Sequence, residues 1–163
     1  MKESILNGKR ILAVDDESDI LSVLEEEISD ACQDYHLETA ATYKEASAKL
    51  KSGSYDVVIL DIMGVRGFDL LDLAVKRNFK VAMLTAHALS PEDLKRSMEM
   101  GARAYLPKEM LGEIVPFLEG VLKYDYARGW KHILKGLEGI FNNLWGMEWQ
   151  AFDETFWKEF NDK

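Results

Sequence analysis

A single cysteine, Cys32, is all the thiol chemistry in this sequence of 163 residues, so an internal disulfide is excluded and a reducing compartment is expected. No apolar run approaches the roughly 18 residues of a membrane helix. The Met1-Lys2-Glu3-Ser4 start also lacks the apolar segment and cleavage site of an export signal. The expectation is a soluble, cytoplasmic protein with no membrane partner. Basic charge is scarce: 20 Lys and Arg stand against 29 Asp and Glu, a net charge of −9. That balance argues against a nucleic-acid-binding surface. No Pro/Ser-rich linker and no low-complexity tract interrupts the chain. What it does hold is 47% apolar residues, enough for a packed core.

Charge and aromatics are unevenly distributed. Residues 1–122 carry 22 acidic and 14 basic side chains, whereas residues 123–163 carry 7 and 6. Ten of the seventeen aromatics, including all four tryptophans, fall within residues 123–163. The reading is therefore a first unit over 1–122 and an aromatic-rich helical extension over 123–163.

Short, continuous apolar runs recur in the first unit: Ile11-Leu12-Ala13-Val14, Val57-Val58-Ile59-Leu60, Val81-Ala82-Met83-Leu84 and Ala104-Tyr105-Leu106, with a weaker Leu37-Glu38-Thr39-Ala40-Ala41. Runs without alternation are what strands buried on both faces require. Their ends lie 27, 19, 24 and 22 residues apart, room each time for one helix and two turns. The expected fold is α/β, a doubly wound five-stranded parallel sheet of flavodoxin-like type with extra C-terminal helices. Ile20, Leu21, Leu24, Ile28 and Ala31 form a helical stripe. Ser90, Pro91 and Gly101 mark the ends of another helix, with Ser90 as N-cap.

In such a sheet ligands bind outside the carboxyl ends of the strands. Asp15 and Asp16 follow the first run, Asp61 the third, Thr85 the fourth, and Lys108 stands just beyond the fifth. Carboxylates converging on one rim repel one another unless a cation sits among them, and Mg²⁺ suits such a site. A carboxylate beside that ion can attack phosphorus and become an acyl phosphate, while an ammonium and a hydroxyl neutralise and orient the phosphoryl oxygens. Taken singly, each residue has an ordinary structural alternative, such as the acidic first turn of a helix for Asp15-Asp16-Glu17. Their joint placement at the right strand ends carries the functional reading.

These stretches, Ile11-Leu12-Ala13-Val14-Asp15-Asp16-Glu17, Tyr55-Asp56-Val57-Val58-Ile59-Leu60-Asp61, Leu84-Thr85-Ala86 and Gly101-Ala102-Arg103-Ala104-Tyr105-Leu106-Pro107-Lys108, resemble the receiver domain of bacterial two-component response regulators over residues 9–122. The resemblance implies that Asp61 accepts a phosphoryl group from a sensor histidine kinase or a phosphotransfer protein. It implies Mg²⁺ held by Asp16 directly, by Asp15 through water, and by Asp61 and the backbone carbonyl of Met63. Lys108 would pair with Asp61, Thr85 would hydrogen-bond the phosphoryl group, and Tyr105 would turn inward when Thr85 moves. The protein would then be a signalling switch rather than an enzyme in the usual sense, acting on a downstream effector protein.

Two departures stand out. The family usually has proline directly after the lysine, whereas here Pro107 precedes Lys108 and Glu109 follows. Without proline a cis bond costs ~2.5–4 kcal/mol, so this loop is expected to run trans, with Lys108 placed differently. After Asp61 the chain reads Met63-Gly64-Val65-Arg66-Gly67 in place of the usual Met-Pro, with glycine earlier than the family pattern. A shorter or looser loop is expected. A second hypothesis is an interaction module that works without phosphorylation. A phosphatase with Asp61 as nucleophile is disfavoured, because position 63 is methionine rather than an acid. His87 reads as a solvated bystander and Cys32 as a small buried hydrophobe.

In the tail, Tyr126, Trp130, Ile133, Leu137, Ile140 and Leu144 step by 4, 3, 4, 3 and 4, a seam at coiled-coil spacing. Trp145, Trp149, Phe152, Phe156 and Phe160 nearly continue it. Gly129, Gly136, Gly139 and Gly146 weaken such a helix by ~1 kcal/mol each if they lie inside it, so it needs a surface to pack on. Folding back on the first unit or forming a homodimer seam is expected ahead of an effector dock. A DNA-binding output domain is not expected, because 41 residues fall below the ~50 of a small domain.

Overall fold

The computed structural model describes residues 4–86 and 90–162, with the side chains of 151 and 152 left aside. His87 and the Phe152 side chain therefore lie outside the described residues. The elements alternate β1 (Arg10–Val14), α1 (Ser18–Ala31), β2 (His36–Ala40), α2 (Tyr43–Ser52), β3 (Val57–Asp61), α3 (Gly67–Lys76), β4 (Lys80–Thr85), α4 (Pro91–Glu99) and β5 (Ala104–Pro107). A 3-10 turn (Lys108–Glu113) leads into α5 (Ile114–Lys123). The extension adds α6 (Tyr126–Trp145), a second 3-10 turn (Trp149–Asp153) and α7 (Glu154–Asn161).

All five strands are parallel, in the order β2-β1-β3-β4-β5. Strand order reverses at β1, between β2 and β3, which is the switch point of the sheet. Right-handed crossovers carry α1 to one face and α2, α3 and α4 to the other. The contacts agree: α1 packs on α5, and α2 packs on α3. Every residue of β3 is buried, as a central strand covered on both faces demands. The helical stripe of α1 buries Leu24 and Ile28, with Ile20, Leu21 and Ala31 at its edges.

Helix α4 starts at Pro91 as expected, and Gly101 takes φ +99° beyond its end. Ser90 is the N-cap residue by position, but its side chain makes no capping hydrogen bond; its backbone carbonyl accepts from Asp93 and Leu94. Cys32 is buried, as expected of a small hydrophobe.

The tail folds back onto its own chain. Trp130 is fully buried and its indole Nε1 donates to Ala102 O at 2.8 Å, while the Tyr126 hydroxyl donates to Met98 O at 2.6 Å. These two bonds tie the start of α6 to the end of α4 and the start of β5. Truncating a buried tryptophan of this kind to alanine costs ~3–5 kcal/mol. The buried face follows the expected seam through Trp130, Ile133 and Leu137 and then shifts to Phe141, leaving Ile140 half-buried and Leu144 exposed. An unsupercoiled helix repeats every 3.6 residues, so the apolar stripe drifts off a strict heptad within two turns.

Candidate functional site

The site forms where β1, β3 and β5 end. Asp15 directly follows β1; its backbone N–H donates to Ala40 O, and its Oδ1 accepts from the Glu17 N–H at 2.9 Å. That side-chain bond makes the tight turn into α1. Asp61 is the last residue of β3 and is buried, its place set by the pairing of Asp61 with Leu84. Carboxylate oxygens of Asp15, Asp16 and Asp61 lie within 4.8 Å of one another. Asp15 is fully buried, whereas Asp16 is exposed at the mouth.

Lys108 opens the 3-10 turn after β5 and reaches back across the rim. Its Nζ stands 2.9 Å from Asp15 Oδ2, 3.1 Å from Asp61 Oδ1 and 3.0 Å from Glu17 Oε2. Among the described residues no peptide bond is cis, so the loop with Pro107 before the lysine runs trans as expected. It nevertheless delivers the ammonium to the acids. Glu109 is exposed.

Electrostatics follow from burial in this crowded pocket. Burial, and then the neighbouring charge of Asp15, push the Asp61 carboxyl up to about 6. Burial raises Asp15 as well, against the hydrogen bond from Glu17 and the pull of Lys108. Burial opposes the charge of Lys108, yet the hydrogen bonds to Asp15, Glu17 and Asp61 outweigh it and hold the ammonium above its ordinary value. Three clustered carboxylates and a fourth nearby face one ammonium, so the pocket keeps an excess of negative charge. An all-oxygen donor set of that charge fits a hard divalent cation of the Mg²⁺ type.

The loop between β3 and α3, residues 62–66, is short and tied: the Gly67 N–H donates to Ile62 O at 3.1 Å. Gly64 has φ +84°, and a Cβ there would stand 2.6 Å from the Asp16 carboxylate. A Cβ on Gly67 would stand 2.2 Å from Asp61 O. The early glycines thus let the loop close tightly over the two aspartates. The Met63 side chain is exposed, so a role for that residue rests on its backbone.

Thr85 ends β4 and Tyr105 lies in β5. The fully buried Tyr105 hydroxyl donates to Thr85 Oγ1 at 3.4 Å, and Thr85 Oγ1 donates to Ala86 O at 2.9 Å. Tyr105 therefore already points inward here. Glu17 is the contact that sequence reasoning missed, since its place beside Asp15 and Asp16 suits the acidic start of a helix equally well. Three consecutive acids at a strand end were the available signal.

A response regulator receiver domain matches residues 11–115, well over half of the chain. The chain belongs to the response regulator receiver family. Two curated relatives bracket it: the two-component response regulator ARR12 of Arabidopsis thaliana, 35% identical over 130 residues, and the transcriptional regulatory protein TcrA of Mycobacterium tuberculosis, 31% identical over 107 residues. These alignments cover 75% and 63% of the receiver chain, but only 21% and 41% of the relatives. The chain thus spans about a fifth to two fifths of the length of the curated relatives it matches. Among solved structures, a CheY-like receiver domain from Methanospirillum hungatei is 30% identical with a TM-score of 0.58, covering 71% of this chain and 97% of that one. The chemotaxis protein CheY4 of Vibrio cholerae is also 30% identical, with a TM-score of 0.62 and coverage of 70% and 98%. Relatives from a plant and a mycobacterium make the likeness one to the receiver family at large, not to its bacterial members alone. The receiver is a signalling domain; no described helix is long and apolar enough to cross a membrane.

Proposed function

We propose that this receiver takes a phosphoryl group on Asp61 from a sensor histidine kinase or a phosphotransfer protein in the cytoplasm, and passes on its state by contact with a downstream protein rather than with DNA. The receiver unit is 1–122 and the helical extension 123–163. The observation that carries the reading is the convergence of Lys108 with Asp15 and Asp61 at 2.9 and 3.1 Å. An oxygen of the Asp61 carboxylate attacks the phosphorus of a phosphohistidine; the new O–P bond forms as the P–N bond breaks and the imidazole leaves with its electron pair. Asp61 is ionised at neutral pH, because its carboxyl titrates at about 6. Lys108 remains charged and takes up the negative charge of the phosphoryl oxygens, and the Thr85 hydroxyl turns from Ala86 O to donate to one of them. Asp15, Asp16, Asp61 and the Met63 carbonyl would hold Mg²⁺, which supplies charge neutralisation at the phosphoryl oxygens.

A module that works without phosphorylation finds support only in the altered lysine loop, and the reach of Lys108 to Asp61 weighs against it. The test is intact mass after incubation with acetyl phosphate, with and without Mg²⁺, beside Asp61→Asn. One phosphoryl group, dependent on Mg²⁺ and absent from the variant, supports the proposal; no uptake by folded protein contradicts it.

A further inference from the structure

The tail sits on the Thr85–Tyr105 pair. The Tyr105 ring meets Phe141 of α6 edge to face at 6.1 Å, and Phe141 stacks on Trp145 at 4.7 Å. A small cavity is closed by Thr85 and Tyr105 on one side and by Phe141, Leu144 and Trp145 on the other. From there the aromatics run on: Trp145 to Trp149 at 5.4 Å, and Trp149 to Trp157 at 5.1 Å. A continuous row of packed rings thus leads from a hydroxyl at the acid pocket to α7.

The two halves of the tail are held differently. The start of α6 is fastened by the buried bond of Trp130 and the half-buried bond of Tyr126. Among the described residues the distal part rests on the ring packing and on Lys95 of α4. That ammonium pairs with Asp153 and lies over the Phe156 ring at 5.3 Å, both partners of the ion pair being partly exposed to solvent. An ion pair left partly open to solvent is screened and adds only modestly to such packing. Between the halves lie Gly136 and Gly139, where a Cβ would meet nothing within 4 Å. Close packing does not require glycine there, and glycine loosens the helix at that point.

We propose that the distal tail, from Phe141 through α7, is a phosphorylation-released cap on the surface formed by α4 and β5. This rests on Asp61 being the phosphoryl acceptor. When the Thr85 hydroxyl turns to a phosphoryl oxygen, the buried Tyr105 hydroxyl must follow it or lose its acceptor. Following draws the ring from beneath Phe141 and strips the cap of its packing partner, since a gap of even half an ångström forfeits much of a dispersion contact. The N-terminal half of α6 stays docked, the helix gives at Gly136 and Gly139, and the α4–β5 surface opens to a partner protein. By linkage the coupling is reciprocal, so the docked cap also opposes occupancy of the phosphoryl site.

All four tryptophans lie in the tail and three of them, Trp145, Trp149 and Trp157, in the cap, so a change in emission reports cap docking in the full chain. With Mg²⁺ and beryllofluoride as phosphoryl mimic, or acetyl phosphate with uptake followed by mass, tryptophan emission shifts to the red and proteolysis within residues 136–161 speeds up about tenfold. In Tyr105→Phe, which keeps the ring and lacks the hydroxyl, the emission change per occupied site falls several-fold. Phe141→Ala, with the cap already loosened, binds beryllofluoride several-fold more tightly than wild type. Phosphorylated protein with unchanged emission and proteolysis, or with a tail better protected, overturns the cap and leaves Asp61 as acceptor intact. Unchanged beryllofluoride affinity in a folded Phe141→Ala protein overturns it too. Failure of Asp61 to take up a phosphoryl group overturns the acceptor and the cap together.

Discussion

Lys108 Nζ lies 3.1 Å from Asp61 Oδ1, joining residues 47 positions apart in the chain across the ends of β5 and β3. The same ammonium reaches Asp15 and Glu17, so one cation ties the ends of β1, β3 and β5 together. The rim of the sheet is therefore both an electrostatic knot and the place where chemistry is expected.

Removing the knot separates its two roles. Lys108→Met leaves buried carboxylates without a cation and is expected to cost about 1–3 kcal/mol in urea unfolding at neutral pH without metal. Saturating Mg²⁺ should recover most of that loss, by binding the native pocket. Phosphoryl uptake should still fall by roughly 10²-fold, the scale of losing one preorganised charge at the reacting group.

Asp61 makes the pocket pH-dependent. Its folded-state pKa, about 6, lies above the ordinary value of 3.8, chiefly because burial disfavours the charge. A raised carboxyl contributes stability that is present below the unfolded value and lost as pH rises through the folded one. In chelator, Asp61→Asn should therefore melt above wild type at neutral pH, by an equivalent of about 1–3 kcal/mol, and the gap should close as pH falls through about 6 towards about 4. A gap that widens on acidification contradicts this.

Gly64→Ala tests the β3–α3 loop. At φ +84° a side chain is strained, and its Cβ would sit 2.6 Å from the Asp16 carboxylate, so one of the two must move. Calorimetry should show Mg²⁺ affinity weakened by about tenfold, roughly 1.4 kcal/mol, while the fold by circular dichroism is kept.

Gly136→Ala and Gly139→Ala probe the tail without touching the receiver. Each replaces a helix-interior glycine in open space and is expected to stabilise the protein against urea by about 0.5–1 kcal/mol. The gain should appear in the tryptophan-detected transition.

How far such features were legible depends on whether they are local. The five strands read directly from runs such as Val57-Val58-Ile59-Leu60, because a strand covered on both faces has no polar positions to disguise it. Asp15, Asp16, Asp61 and Lys108 were legible because the fold sends the ends of those strands to one rim. The partnership of Glu17 with Lys108 was not, because Glu17 stands at the N-cap position of α1, past the strand end, where an acid has an ordinary structural role. In the tail the presence of a buried stripe was clear but its phase was not: Phe141 displaced Ile140 and Leu144 because α6 packs on its own receiver as a plain helix. Which surface it covers depends on Ala102 O and Met98 O, backbone acceptors that no side-chain pattern announces.

The most direct measurement is to locate the phosphoryl group. After acetyl phosphate and Mg²⁺, borohydride reduces an aspartyl phosphate to homoserine, and peptide mass spectrometry then identifies the residue changed. The account predicts homoserine at position 61 alone, and none without Mg²⁺. Reduction at another carboxylate, or a phosphoryl group that survives borohydride on a hydroxyl or imidazole, would contradict it.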